Sequence, residues 1–74
     1  MREELIFLRK KRGLTQNEAA KLLGISQSFY SAIELGERKP HLKTMMKFEK
    51  VFEVSYRILF ADVFQEYKER VQHA

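Results

Sequence analysis

Cysteine is missing from this 74-residue chain. Its absence excludes disulfide staples and cysteine-ligated zinc, and it agrees with a reducing compartment, so a cytoplasmic protein is expected. Proline occurs once and glycine three times. So few breakers point to helices. Aspartate occurs once and histidine twice, at His41 and His73. Neither a serine–histidine–acid set nor a metal-ligand spacing can be built from so few donors, so no catalytic residue, metal or cofactor is assigned. Long apolar runs are also scarce. The longest uncharged stretch, Leu22 to Ile33, is 12 residues, well short of the roughly 20 that cross a bilayer, and neither a signal peptide nor a membrane span is expected.

What is present is charge and a modest amount of apolar surface. At 45% apolar and 32% charged, the chain has the composition of a globular domain. At 8.9 kDa it has room for one domain, residues 1–74. A core of that size usually needs a staple or a partner subunit. The net charge is +4 and the pI about 9.6. Its distribution is uneven: residues 1–50 hold 11 Lys/Arg against 6 Asp/Glu, and residues 51–74 hold 3 against 4. The excess positive charge therefore lies in the first two-thirds, as expected of an anion-binding front with a tail of different duty. A merely solvated basic face has the same signature.

Helix signals divide the chain into five stretches and no run shows strand alternation, so the expected class is all-α. The first stretch, about Arg2–Arg12, carries Leu5 and Leu8 on one face, collects cations in its last turn and stops at Gly13. The second opens at Thr15-Gln16-Asn17-Glu18, the S/T-x-x-E form of a capping box, and ends at Gly24. Ser26 is a natural N-cap for the third, which ends at Gly36. Pro40 closes a polar loop before the fourth, about Leu42–Phe52, with Leu42, Met45, Phe48 and Phe52 on one side. Ser55 caps a fifth, expected to run from Tyr56 to about Gln72.

Residues 16–35, QNEAAKLLGISQSFYSAIEL, meet the requirements of two short helices crossing steeply. Ala20 is small where the helices approach. Gly24 tolerates the positive φ that the turn needs. Ala19, Leu23, Ile25, Tyr30 and Ile33 have the spacing of an inner apolar cluster. If Tyr30 and Ile33 face inward, Ser28, Ser31, Ala32 and Leu35 face outward, with Gln27 at the leading end.

The longer stretch LRKKRGLTQNEAAKLLGISQSFYSAIELGERKP resembles the Cro/Xre family of phage-repressor-type helix-turn-helix domains, and the resemblance covers about residues 5–60. It implies a compact five-helix, homodimeric, sequence-specific double-stranded-DNA-binding transcriptional regulator, a repressor or operon controller, with the third helix in the major groove. It also implies base readout by Gln27, Ser28, Ala32 and Gln16. Gln27 is the foremost candidate, because a glutamine can bond adenine bidentately. Ser31, Arg38, Lys39 and Lys43 suit phosphate contacts, with Lys10 and Arg12 as further candidates. In the family, a pair matching Arg9 and Glu34 often bridges the first and third helices, a structural role. Phe29 fits core packing and contact with thymine methyls or a sugar edge equally well.

Four positions depart from the family pattern. Ala19 stands where leucine is usual, leaving volume for Phe7, Phe29 or Tyr30. Tyr30 replaces an aliphatic residue, Glu49 an alanine, and Glu53 a glycine at a helix end where glutamate is strained.

Beyond the family's usual end, an extension at about 61–72 continues the fifth helix. Phe60, Phe64, Tyr67 and Val71 form a short apolar stripe there, suited either to a dimer contact or to the core. The partners expected are a near-palindromic DNA operator and a second copy of the chain. The competing function is a helix-turn-helix protein-interaction module, such as an antitoxin or anti-repressor.

Overall fold

A computed structural model describes residues 1–65. It is all-helical in that range: α1 (Glu3–Lys11), α2 (Gln16–Leu23), α3 (Gln27–Leu35), α4 (Leu42–Phe52) and α5 (Tyr56–Leu59), followed by α6 at residues 61–65.

Local signals account for the boundaries around α2 and α3. Thr15 Oγ1 accepts from the Glu18 N–H at 3.1 Å, and Glu18 Oε1 accepts from the Thr15 N–H at 2.9 Å. The two bonds satisfy donors that a helix start leaves open. Thr15 also holds the Glu18 carboxyl below its usual range, through the backbone bond first. Gly24 ends α2 at φ 71°, a left-handed conformation that a Cβ would strain. Ser26 Oγ accepts from the Phe29 N–H at 3.1 Å and so caps α3.

The core is an aromatic stack built on α4. Phe48, fully buried, lies parallel to Tyr30 of α3 with ring centroids 5.9 Å apart, and meets Phe60 edge-on at 5.1 Å. Leu5, Ala19, Ala20, Leu23, Ile33, Met45, Phe52 and Leu59 are buried around it. Tyr30 and Ala19 are both fully buried in this cluster. Phe7, 60% exposed, does not fill the volume beside Ala19, and Leu42 is likewise an exposed member of its expected face.

The continuous fifth helix is not observed. It breaks at Phe60, where φ −120° and ψ 37° leave the helical region. The break carries the Phe60 ring into the core against Phe48, at zero exposure. A ring buried within one copy cannot belong to a surface stripe, so Phe60 is corrected from dimer candidate to core residue. Phe64 is half-buried, 5.8 Å from the Tyr56 ring. Tyr67, Val71 and the helix expected up to Gln72 lie outside the described residues.

Two family departures acquire physical roles. Glu49 Oε1 accepts from the Tyr56 N–H at 2.9 Å, so its carboxylate serves the start of α5. Glu53 ends α4 at φ 58°, the one positive-φ non-glycine among the described residues. A left-handed L-residue costs about 1–2 kcal/mol, and glycine's greater freedom in the unfolded chain offsets part of any relief. Glu53→Gly is therefore expected to stabilise the domain by about 0.5–1 kcal/mol, read as a rise in Tm of about 3–6 °C. The Arg12–Glu53 ion pair that is lost, at 3.6 Å with Glu53 82% exposed, contributes little. An unchanged or lowered Tm would show that position 53 is not strained.

Candidate nucleic-acid interface

The helix-turn-helix is held by a buried polar centre that also sets the pitch of its outer face. Glu34, on the inner side of α3, is 2% exposed. Arg9 Nε donates to Glu34 Oε2 at 2.6 Å, Nη2 donates to Oε1 at 3.3 Å, and Nη1 donates to the Leu14 carbonyl at 2.9 Å. Gln16 Nε2 donates to Glu34 Oε1 at 3.0 Å. One carboxylate thus receives α1 and the first residue of α2. Burial works against ionising Glu34, but the Arg9 and Gln16 bonds prevail and hold its pKa below the usual value. The bond to Glu34 raises the Arg9 pKa against the effect of burial. The Tyr30 hydroxyl shares this enclosure without a well-formed hydrogen bond; burial first, and the carboxylate second, push its pKa up.

On the outer side, Gln27 and Ser28 are exposed at the N-terminal end of α3, and Ser31 and Ala32 are half-exposed farther along. Leu35 is 46% exposed. Gln16 lies at the N-terminal end of α2, half-buried, with its amide nitrogen engaged by Glu34. Gln16, Gln27 and Ser28 therefore occupy two helix starts, the places where backbone N–H groups and dipoles favour phosphate, while Ala32 lies farther along α3.

Arg38, Lys39 and Lys43 are exposed on the loop after α3 and the first turn of α4. Arg38 is fixed rather than trailing: its N–H donates to the Ala32 carbonyl at 3.3 Å, and its guanidinium lies 5.5 Å from the Phe29 ring centroid. Lys10 is exposed on the last turn of α1. Arg12 is drawn to the end of α4, paired with Glu53 and 5.8 Å from the Phe52 centroid.

Arg2, expected from the sequence only as the start of the first helical stretch, organises this region. Arg2 is 7% exposed. Its Nη1 donates to the carbonyls of Ile33 and, at 3.1 Å, Arg38. Its Nη2 donates to Asp62 Oδ2 at 2.9 Å, and its guanidinium covers the Phe60 ring at 5.2 Å. The Arg2 N–H adds a 2.8 Å bond to the Glu34 carbonyl. The N-terminus thus ties α6 to the end of α3 and to the Arg38 loop.

A short helix pair with a glycine turn, a buried carboxylate clamp and an exposed second-helix face define a helix-turn-helix domain. The helix-turn-helix family model matches residues 5–59, and the chain belongs to that family of transcriptional regulators. It is 37% identical over 68 residues to the uncharacterised HTH-type transcriptional regulator YqaF of Bacillus subtilis (strain 168), covering 92% of this chain and 90% of YqaF. It is 42% identical over 53 residues to the similarly described YqaE of the same organism, covering 72% of this chain. The chain spans under half of YqaE, 46% of its length. A crystal structure of an HTH_3 family transcriptional regulator from Vibrio cholerae superposes with a TM-score of 0.67 at 36% identity, over 82% of this chain and 34% of that one.

Among the described residues, no helix is long and apolar enough to cross a membrane. Nor is any group of three or more His, Asp or Glu side chains there placed to hold a metal ion.

Proposed function

We propose that the chain is a sequence-specific double-stranded-DNA-binding regulator, a homodimeric repressor or operon controller that acts in the cytoplasm and reads the major groove with α3. The observation that carries this reading is the outer face of α3. Gln27 and Ser28 are exposed at its leading end, and Arg38, Lys39 and Lys43 are exposed on the loop that follows it and the first turn of α4. Base-edge groups flanked by cations are the combination that combines readout with phosphate anchoring. Self-association has support of a different kind. Among the described residues, Leu42, Met45, Val63 and Phe64 line an apolar groove at the junction of α4 and α6, and a chain this short has little core to spare.

Selection of bound duplexes from a random pool tests the proposal. A dimer is expected to return a near-palindrome with half-site centres about one helical turn, roughly 34 Å, apart. Gln27→Ala is expected to lose about 1–3 kcal/mol of discrimination at one adenine per half-site, measured by competition between the selected sequence and its single-base variants. Recovery of no sequence above background would instead favour the protein-interaction module.

A further inference from the structure

We infer that Phe29, Ala32 and Arg38 form a subsite for the 5-methyl group of a pyrimidine, with Phe29 and Ala32 against the methyl and Arg38 bonding the adjacent phosphate. This rests on the DNA-binding reading above and adds a second specificity element to Gln27.

After Gln27 and Ser28, the outer face of α3 has few strong hydrogen-bonding groups. It has instead a concavity lined by Ser26, Ser28, Phe29, Ala32 and Arg38. Phe29 and Ala32 are each half-buried, so part of the phenyl ring faces outward although the residue also packs on the core. Arg38 forms one wall and is held at three points. Its N–H bonds the Ala32 carbonyl at 3.3 Å, its own carbonyl receives Arg2 Nη1 at 3.1 Å, and its guanidinium sits 5.5 Å from the Phe29 centroid. A wall ordered in advance loses little freedom when a ligand arrives.

The chemistry of the hollow selects its occupant. It offers a small apolar floor, a hydroxyl rim and one fixed cation. The pyrimidine 5-methyl is the apolar group that the major groove displays, and Phe and Ala are residues suited to meet it. The phosphodiester beside that base supplies a negative charge for the guanidinium to bond.

The test replaces each thymidine of the selected duplex, one at a time, by deoxyuridine, which removes the methyl and nothing else. Wild-type protein is expected to lose about fourfold in affinity at one position per half-site, the weight of one buried methyl. Phe29→Ala, with its helical circular dichroism retained, is expected to bind the thymidine and deoxyuridine duplexes equally. Arg38→Ala is expected to weaken both alike and to flatten the salt dependence, leaving the fourfold ratio in place. If no deoxyuridine replacement weakens wild-type binding beyond about 1.5-fold, where a buried methyl predicts four, the subsite does not exist. A folded Phe29→Ala that still discriminates shows that the methyl is read elsewhere. Failure of the wild type to bind any duplex overturns the DNA-binding reading itself, an outcome distinct from binding without methyl discrimination.

Discussion

Glu34→Ala is expected to lower the unfolding free energy by about 3–5 kcal/mol, the usual consequence of removing one partner from a buried ion pair. The Arg9 side chain is 11% exposed and lies 2.6 Å from the carboxylate. Without Glu34, its charge remains in a pocket with little water to receive it, and Gln16 Nε2 loses its acceptor. Small domains hold about 5–15 kcal/mol in total, so a loss of this size removes most of the stability of a chain at the low end of that range. Urea denaturation followed by circular dichroism measures the loss. A cost under about 1 kcal/mol would mean that Arg9 finds solvent easily and that the pair only orients the helices. Combining Arg9→Met with Glu34→Leu is expected to restore much of the stability, since no charge is then left buried.

The same group gives acid sensitivity a definite sign. The folded-state pKa of Glu34 lies below its ordinary value of 4.5. A carboxyl whose pKa is depressed on folding stabilises the protein above the unfolded pKa, and that contribution is lost as pH falls through the folded pKa. Wild-type stability should therefore decline below about pH 4.5. In the apolar double variant this component of the decline should be missing.

How much of this was legible beforehand depended on how far apart in the chain the contributing residues lie. The capping box at Thr15 and Glu18, the turn at Gly24 and the cap at Ser26 are complete within four residues, so their chemistry is written in the string itself. The outward placement of Gln27 and Ser28 follows from periodicity once Tyr30 and Ile33 are assigned inward. Arg2 is the opposite case. Its guanidinium binds groups 31, 36 and 60 positions away, and nothing near residue 2 announces them. The same holds for Phe60: helical spacing joined it to Phe64, but a free place beside Phe48 outweighed the cost of breaking the helix. Glu49 looked like a mere departure from pattern because the N–H it serves, on Tyr56, belongs to the next helix. Phe29 was equally suited to core and surface, and it is half-buried, packed against the core with the Arg38 guanidinium over its ring.

Duplex affinity is expected to fall about a thousandfold between 50 and 200 mM salt if two copies bind together, the largest effect foreseen for this chain. Arg38, Lys39 and Lys43 provide three exposed cations per copy at the edge of α3, hence about six phosphate contacts in a dimer. At about 0.9 counterions released per contact, the slope of log affinity against log salt is near −5. A single copy would give a slope near −3 and lose only about fortyfold over the same range. Fluorescence anisotropy titrations at several salt concentrations thus count the copies as well as detect the binding. Arg38→Ala, which alters both copies of a dimer, should flatten the slope by about two, against about one for a monomer. Lys10→Ala should leave the slope unchanged unless α1 also reaches the backbone. A slope near zero with retained binding would mean that the basic edge meets no phosphate, and the interaction-module reading would then account for the exposed face of α3.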